Sequence, residues 1–161
     1  MVEVRWQEIA AVTAKKEEEW KDLKSFLVLF AREFKNEILN DEVEVRLLED
    51  KLVIFAPAIF TDGMKINKKG LLLLEKIGQS LSFLFGNRIE VLGHSLPLEK
   101  RQRKEFASSW ELSSLRAGLV ARFFNWRAGI RGENIFPIGR SIFDPDKNKN
   151  GKRIDLLIYP K

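Results

Sequence analysis

Residues 108–127, SSWELSSLRAGLVARFFNWR, decide how the chain is read. Ser108 followed three residues later by Glu111 has the form of a capping box, in which hydroxyl and carboxylate satisfy the free N–H groups of a helix start. The spacing of Leu112, Leu115, Leu119, Phe123 and Trp126 then predicts a helix with one apolar stripe. At about 100° per residue, Arg116 falls inside that stripe. A guanidinium on a buried face is costly unless an anion or a set of acceptors meets it. One reading is an internal salt bridge, for which Asp155 and Glu90 are candidates, or a snorkelling stem. The other is a ligand carboxylate.

Outward from this helix, Gly129 and Gly132 supply a terminator. Residues 134–139 form a short strand in which Pro137 points to an edge or an early end. A loop over 141–151 leads to a last strand at 153–159, where Ile154, Leu156 and Ile158 alternate with Asp155, Leu157 and Tyr159. Upstream, a polar loop over 95–107 follows a buried strand at 88–93. Asn67 opens an earlier helix with apolar positions Leu71, Leu74, Ile77, Leu81, Leu84 and Phe85, closed by Gly86-Asn87. Residues 42–48 and 51–56 flank Glu49-Asp50 as a hairpin, Pro57 ends it, and Asp62-Gly63 marks a turn.

Residues 13–39 read as a long amphipathic helix. Trp20, Leu23, Leu27, Phe30, Ala31, Phe34 and Ile38 recur at three- and four-residue steps, opposite Lys15, Lys16, Glu17, Glu18, Glu19 and Lys24. Its apolar side is expected to be buried in a homodimer or against the rest of the chain. Strands interleaved with long helices give an α/β (α+β) two-layer sandwich, helices covering one face of a small sheet.

Composition bounds the function. A chain of 161 residues, 45% hydrophobic with 12 Phe and 4 Trp, can build a substantial core in one domain plus an appendage. The absence of cysteine removes disulfides and thiolate metal sites. A net charge of +5 is compatible with a polyanion but is common on solvated surfaces. No basic-then-apolar leader stands at the N-terminus, and the longest apolar run, residues 26–31, is far too short to span a bilayer.

Few constellations suggest chemistry. His94 ends a strand without a carboxylate or serine at a recognisable spacing and reads as structural. Asp146, Asn148, Asn150 and Gly151 imitate half of a calcium loop, but Leu157 stands where the bidentate glutamate belongs. Lys100, Arg101, Arg103 and Lys104 are flanked by Glu99 and Glu105 without an aromatic ladder, which fits a solvated loop better than a nucleic-acid track. There is no phosphate cradle and no nucleophile elbow. The expectation is a protein without catalysis, metal or cofactor.

The order of pieces is more telling than any one. Ile59-Phe60 with Asp62-Gly63 precedes the first domain helix, and residues 89–94, IEVLGH, end a strand. Residues 108–113, SSWELS, with Arg116-Ala117, then Ile138-Gly139 with Pro145, and Lys152-Arg153-Ile154-Asp155 complete the set. In this order, over about residues 42–161, they resemble the OmpA-like peptidoglycan-binding domain, and most closely its form in MotB, the flagellar stator subunit. The resemblance implies a βαβαβ domain at 42–161 behind a linker helix at 1–41. It also implies a peptidoglycan site at Arg116, Ser95, Leu96, Ser109, Arg153 and Asn150, with Arg116 gripping a diaminopimelate carboxylate of the stem peptide. It further implies a periplasmic, dimeric anchor joined to a stator partner through a transmembrane helix ahead of Met1, attached to the inner membrane and free of nucleic acid.

The chain departs from the family at that site. Leu96 replaces the aspartate that holds the ligand ammonium, Ser109 and Gly151 replace asparagines, with Asn150 displaced by one, and Ser141 replaces a glycine. An apolar side chain cannot hold an ammonium. The alternative is therefore a protein-interaction module that has kept the fold and lost the wall ligand, with Lys100, Arg101 and Arg103 at the rim favouring an acidic partner.

Overall fold

A computed structural model describes residues 6–57, 59–143 and 151–161, with side chains from residue 20 onward. Glu44–Leu47 (β1) and Leu52–Ala56 (β2) pair antiparallel, as the apolar runs around Glu49-Asp50 predict, and the Leu48 N–H donates to the Lys51 carbonyl at 2.8 Å across the turn. A small ribbon of Phe60–Asp62 (β3) and Lys65–Ile66 (β4) follows. Asn67 then caps the first domain helix: its side chain accepts from the Gly70 N–H at 2.6 Å.

The chain continues through Ile89–Gly93 (β5), a helix at Ser109–Arg127, Ile135–Gly139 (β6) and Ile154–Ile158 (β7). In the five-stranded sheet the order is β1-β2-β7-β5-β6, antiparallel except for the β5–β6 pair. The last strand in sequence thus lies in the middle. Pro137 sits on β6, an edge strand, where its missing N–H can face away from the ladder.

Strand positions of one parity, Leu52, Ile54, Ala56, Ile89, Val91, Ile154, Leu156 and Ile158, point to one face and join the helices in a single core. That arrangement is the expected α+β sandwich. The core crosses residue 41 without interruption. The first helix, α1 (Trp6–Glu33), delivers Trp20, Leu23, Phe26 and Phe30 to it, with Phe34 directly after. Its apolar side is buried against the chain's own domain.

Two boundaries and one buried face differ from the sequence reading. The predicted helix over 13–39 starts earlier and is interrupted: α1 gives way at Phe34 (φ −100°, ψ 23°) to a short α2, Lys35–Leu39, and Phe34 stacks on Phe30 at 4.1 Å. Lys76 reinforces the junction, donating to the Glu33 carbonyl at 3.0 Å and to Glu37 Oε1 at 2.7 Å, a bond that lowers the Glu37 pKa. The domain helix α3 (Lys68–Leu81) ends before Leu84 and Phe85; Leu74, Ile77 and Leu81 are buried, while Phe85 is exposed.

The third difference concerns α4 (Ser109–Arg127). Its buried stripe is Leu112, Ser113, Arg116, Ala117, Val120, Ala121 and Phe124, whereas Leu115 and Trp126 are exposed. Ser113 and Ala117 take the inner face where the helix lies almost in contact with the ends of β5 and β6, so the stripe is rotated and only Leu112 of the predicted apolar residues is fully buried.

Candidate functional site

Glycine sets the position of α4. A Cβ on Gly93, at the end of β5, would stand 2.0 Å from the Ser113 carbonyl oxygen, and one on Gly139, at the end of β6, would stand 2.1 Å from Ser114 Oγ. No other residue permits this approach. Ser108 caps the helix as predicted, accepting from the Trp110 N–H at 3.1 Å while its hydroxyl donates to Glu111. The first turns of α4 are thereby pressed onto the ends of the parallel strands, and Arg116 is carried to the point where the chain leaves β5.

Arg116 is 2% exposed and, among the described residues, pairs with no carboxylate. Its Nε donates to the Gly63 carbonyl at 2.8 Å and Nη1 to the His94 carbonyl at 2.9 Å, and the guanidinium lies 5.0 Å from the Phe60 ring centroid. Among the described residues Nη2 has no hydrogen-bond partner, and Arg116 lines the adjoining cleft. Burial lowers the pKa of Arg116 and the nearby Asp62 opposes this, but a guanidinium remains a cation.

The two carboxylates considered as internal partners are engaged elsewhere. Asp155 accepts from Arg153 Nε at 2.7 Å and Nη2 at 3.1 Å, and lies 2.8 Å from His94 Nε2. Glu90 accepts from Arg88 at 2.9 Å and from the Tyr159 hydroxyl at 2.6 Å. His94 therefore does have a carboxylate partner, one supplied by the neighbouring pair β5–β7, where Leu92 stands opposite Asp155. Sequence spacing could not reveal it.

The cleft has a volume of about 130 Å³. It is lined by Ser95, Leu96 and Pro97 of the loop after β5, by Leu112 and Arg116 of α4, and by Thr61, Asp62, Glu99, Arg101, Gln102 and Lys152. Ser95 is buried and tied down, its N–H donating to the Ser141 carbonyl at 2.9 Å and its hydroxyl to the Leu96 carbonyl at 2.6 Å. Leu96 is 50% exposed and lies across Gly151. Asp62 accepts from Gln102 at 2.9 Å and pairs with Arg101 at 2.7 Å, and Lys152 reaches the Thr61 carbonyl at 3.1 Å.

Of the residues named from the sequence, Arg116, Ser95 and Leu96 come together here. Ser109 stays beside the cleft, its hydroxyl 3.4 Å from the Leu96 carbonyl. Arg153 does not line it: the side chain is 1% exposed and its fork is turned onto Asp155, on the face of the sheet opposite the helix core, where the guanidinium lies 5.8 Å from the Phe55 ring centroid. Asn150 and the calcium-like positions Asp146 and Asn148, with Pro145, lie outside the described residues. Asp62, Gln102 and Lys152 were missed. Asp62 and Lys152 stand in the sequence as pieces of the resemblance, and Asp62 also as a turn residue, but not as site residues, and nothing in the sequence singles out Gln102.

Among the described residues no group of three or more His, Asp or Glu side chains could hold a metal ion, and no helix is long and apolar enough to cross a membrane. No family model matches the sequence, and no curated protein is detectably similar to it. Solved structures are. A putative MotB-like protein from Desulfovibrio vulgaris superposes with TM-score 0.76 at 18% identity, over 90% of this chain and 95% of that one. The cell wall anchor of the T6SS from Pseudomonas aeruginosa gives 0.67 at 22%, over 81% and 96%. The periplasmic domain of Helicobacter pylori MotB gives 0.63 at 17%, over 74% and 82%.

A five-stranded mixed sheet covered by helices is the fold these structures share, an OmpA-like α+β sandwich. Within that fold, the chain is similar to the MotB-like form.

Proposed function

We propose that the chain is the non-catalytic, periplasmic domain of a MotB-like motor stator subunit, and that it anchors this subunit to peptidoglycan. The observation that carries the reading is Arg116 Nη2. Neutral carbonyls fix the other two nitrogens, so the guanidinium is held in place with no carboxylate in direct contact among the described residues, only Asp62 nearby. A planar donor fork of this kind suits a carboxylate, and its low-dielectric surroundings strengthen the pair. A stem-peptide carboxylate of the cell wall is such an anion. The likeness to a cell wall anchor and to a MotB periplasmic domain supports the same choice.

In this reading the domain works without cofactor or metal, binds no nucleic acid, forms a homodimer, and reaches its stator partner through a transmembrane helix that ties it to the inner membrane. Co-sedimentation with purified sacculi tests it. The chain is expected in the pellet and is expected to be released by a soluble stem peptide.

A second reading, an OmpA-like protein-interaction module, is favoured by one observation: Leu96, an apolar side chain, lines the cleft and lies across Gly151. A chain that stays in the supernatant at every sacculus concentration decides for it.

A further inference from the structure

The side of α1 that turns away from the core is not uniformly polar. Phe26 and Phe30 are buried, but Leu29, between them in sequence, is 60% exposed and Val28 is 57% exposed. Beside them, the chain leaving α3 carries Phe83 and Phe85, 78% and 75% exposed. Two adjoining hollows of about 370 and 290 Å³ run between these segments and share Phe26, Leu29 and Phe83. The four exposed side chains leave roughly 500 Å² of apolar surface in water, near the upper end of the largest patch usual on a monomer.

The charges along the groove indicate what covers it. On α1 the exposed positions run from Asp22 through Ser25 and Leu29 to Arg32, an acidic end and a basic end about 15 Å apart with a small side chain between them. We propose that the occupant is the same face of a second copy, with the two α1 helices packed antiparallel about a two-fold axis. A crossing at the level of residue 27 pairs position 22 with 32 and position 25 with 29. Asp22 then meets the partner's Arg32, and the partner's Asp22 meets Arg32, because a two-fold contact repeats itself. Leu29 faces the partner's Ser25, beside the smaller hollow, where the short serine leaves room for the leucine. A parallel pairing would instead set aspartate against aspartate and arginine against arginine, which like-charge repulsion disfavours. Covering the four apolar side chains on both copies removes roughly 1,000 Å² from water before the polar rims are counted, the size at which a specific interface begins. The anchoring reading includes a homodimer, and this assigns its interface. None of these residues lines the arginine cleft, so sacculus binding tests that reading separately.

The test is sedimentation equilibrium of the whole chain. The unaltered chain should show a concentration-dependent dimer. Leu29→Asp should give a monomer over the same range, with its circular dichroism unchanged because Leu29 is exposed. Asp22→Arg and Arg32→Asp should each raise the dissociation constant roughly tenfold, and the two together should bring it back. A monomer at every concentration would overturn the proposal and leave the groove to another occupant. A dimer that tolerates Leu29→Asp would overturn it as well, by placing the interface elsewhere. Charge reversals that add up instead of compensating would rule out the antiparallel pairing. A dimer with the expected behaviour that fails to bind sacculi would sink the anchoring role and leave the interface standing.

Discussion

Leu96 lies across Gly151 so closely that a Cβ on the glycine would stand 2.7 Å from Leu96 Cδ2 and 3.1 Å from Cγ. The two positions are therefore coupled. Restoring an asparagine at 151 has to displace a half-exposed leucine, which can swing outward at modest cost. Gly151→Asn alone should destabilise the fold by about 1 kcal/mol, and by clearly less in a Leu96→Asp background, where the branched side chain is gone. Urea denaturation of the two single variants and the double variant measures the coupling. Strict additivity would mean that the leucine does not fill this space.

The approach of α4 to the sheet makes a sharper demand. At Gly93 the obstacle is backbone, the Ser113 carbonyl at 2.0 Å and the Ala117 N–H at 2.9 Å, and neither can move without shifting the helix. Gly93→Ala should cost about 3 kcal/mol or more and displace Arg116 from the His94 carbonyl. Gly118 lies on the same helix with nothing within 4 Å of its would-be Cβ. Gly118→Ala should stabilise by about 0.5–1 kcal/mol through helix propensity alone. Thermal melts that placed the two variants side by side would refute the close packing.

Tyr159 gives a pH signature that needs no ligand. Its pKa is raised to about 12, first by burial and then by its hydrogen bond to the Glu90 carboxylate. Ionisation is disfavoured in the folded chain, so Tyr159 contributes stability that is fully present below the unfolded value near ~10 and is lost as pH rises from there toward about 12. Since the chain has a single tyrosine, phenolate absorbance reports it directly. Titration in the native state should stay flat through pH 10, and Glu90→Gln should bring the midpoint down. A native midpoint near ~10 would show that the Tyr159–Glu90 bond is not formed in solution.

Much of the fold was legible in the sequence because its signals are local. The hairpin around Glu49-Asp50, the Asn67 and Ser108 caps and the proline of an edge strand each depend on neighbours a few residues away. The inner face of α4 was not legible. Size predicted Leu115 and Trp126 inward, but close approach selected Ser113, Ala117 and Ala121 instead. Arg116 lies on the buried face under either assignment, so its odd placement survived the error. The environment of the site was hidden for another reason. The acceptors that fix Arg116 are backbone carbonyls of Gly63 and His94, which any residue could supply, and His94, Asp155 and Arg153 meet only because β7 enters the sheet beside β5.

The central claim is that Arg116 holds a wall carboxylate, and Arg116→Met tests it most directly, because methionine can still pack on Phe60 while the charge and the donors are gone. Two buried carbonyls lose their partners, so the variant should be less stable by about 1–3 kcal/mol, and the comparison belongs well below its melting temperature. The measurement is the fraction of folded chain that co-sediments with purified sacculi. The account predicts that the variant, folded by circular dichroism, loses affinity by roughly tenfold or more, as removal of a charged hydrogen bond should cause. Retention equal to that of the unaltered chain would contradict it, and would leave Arg116 as a brace between α4 and the chain at Gly63 and His94.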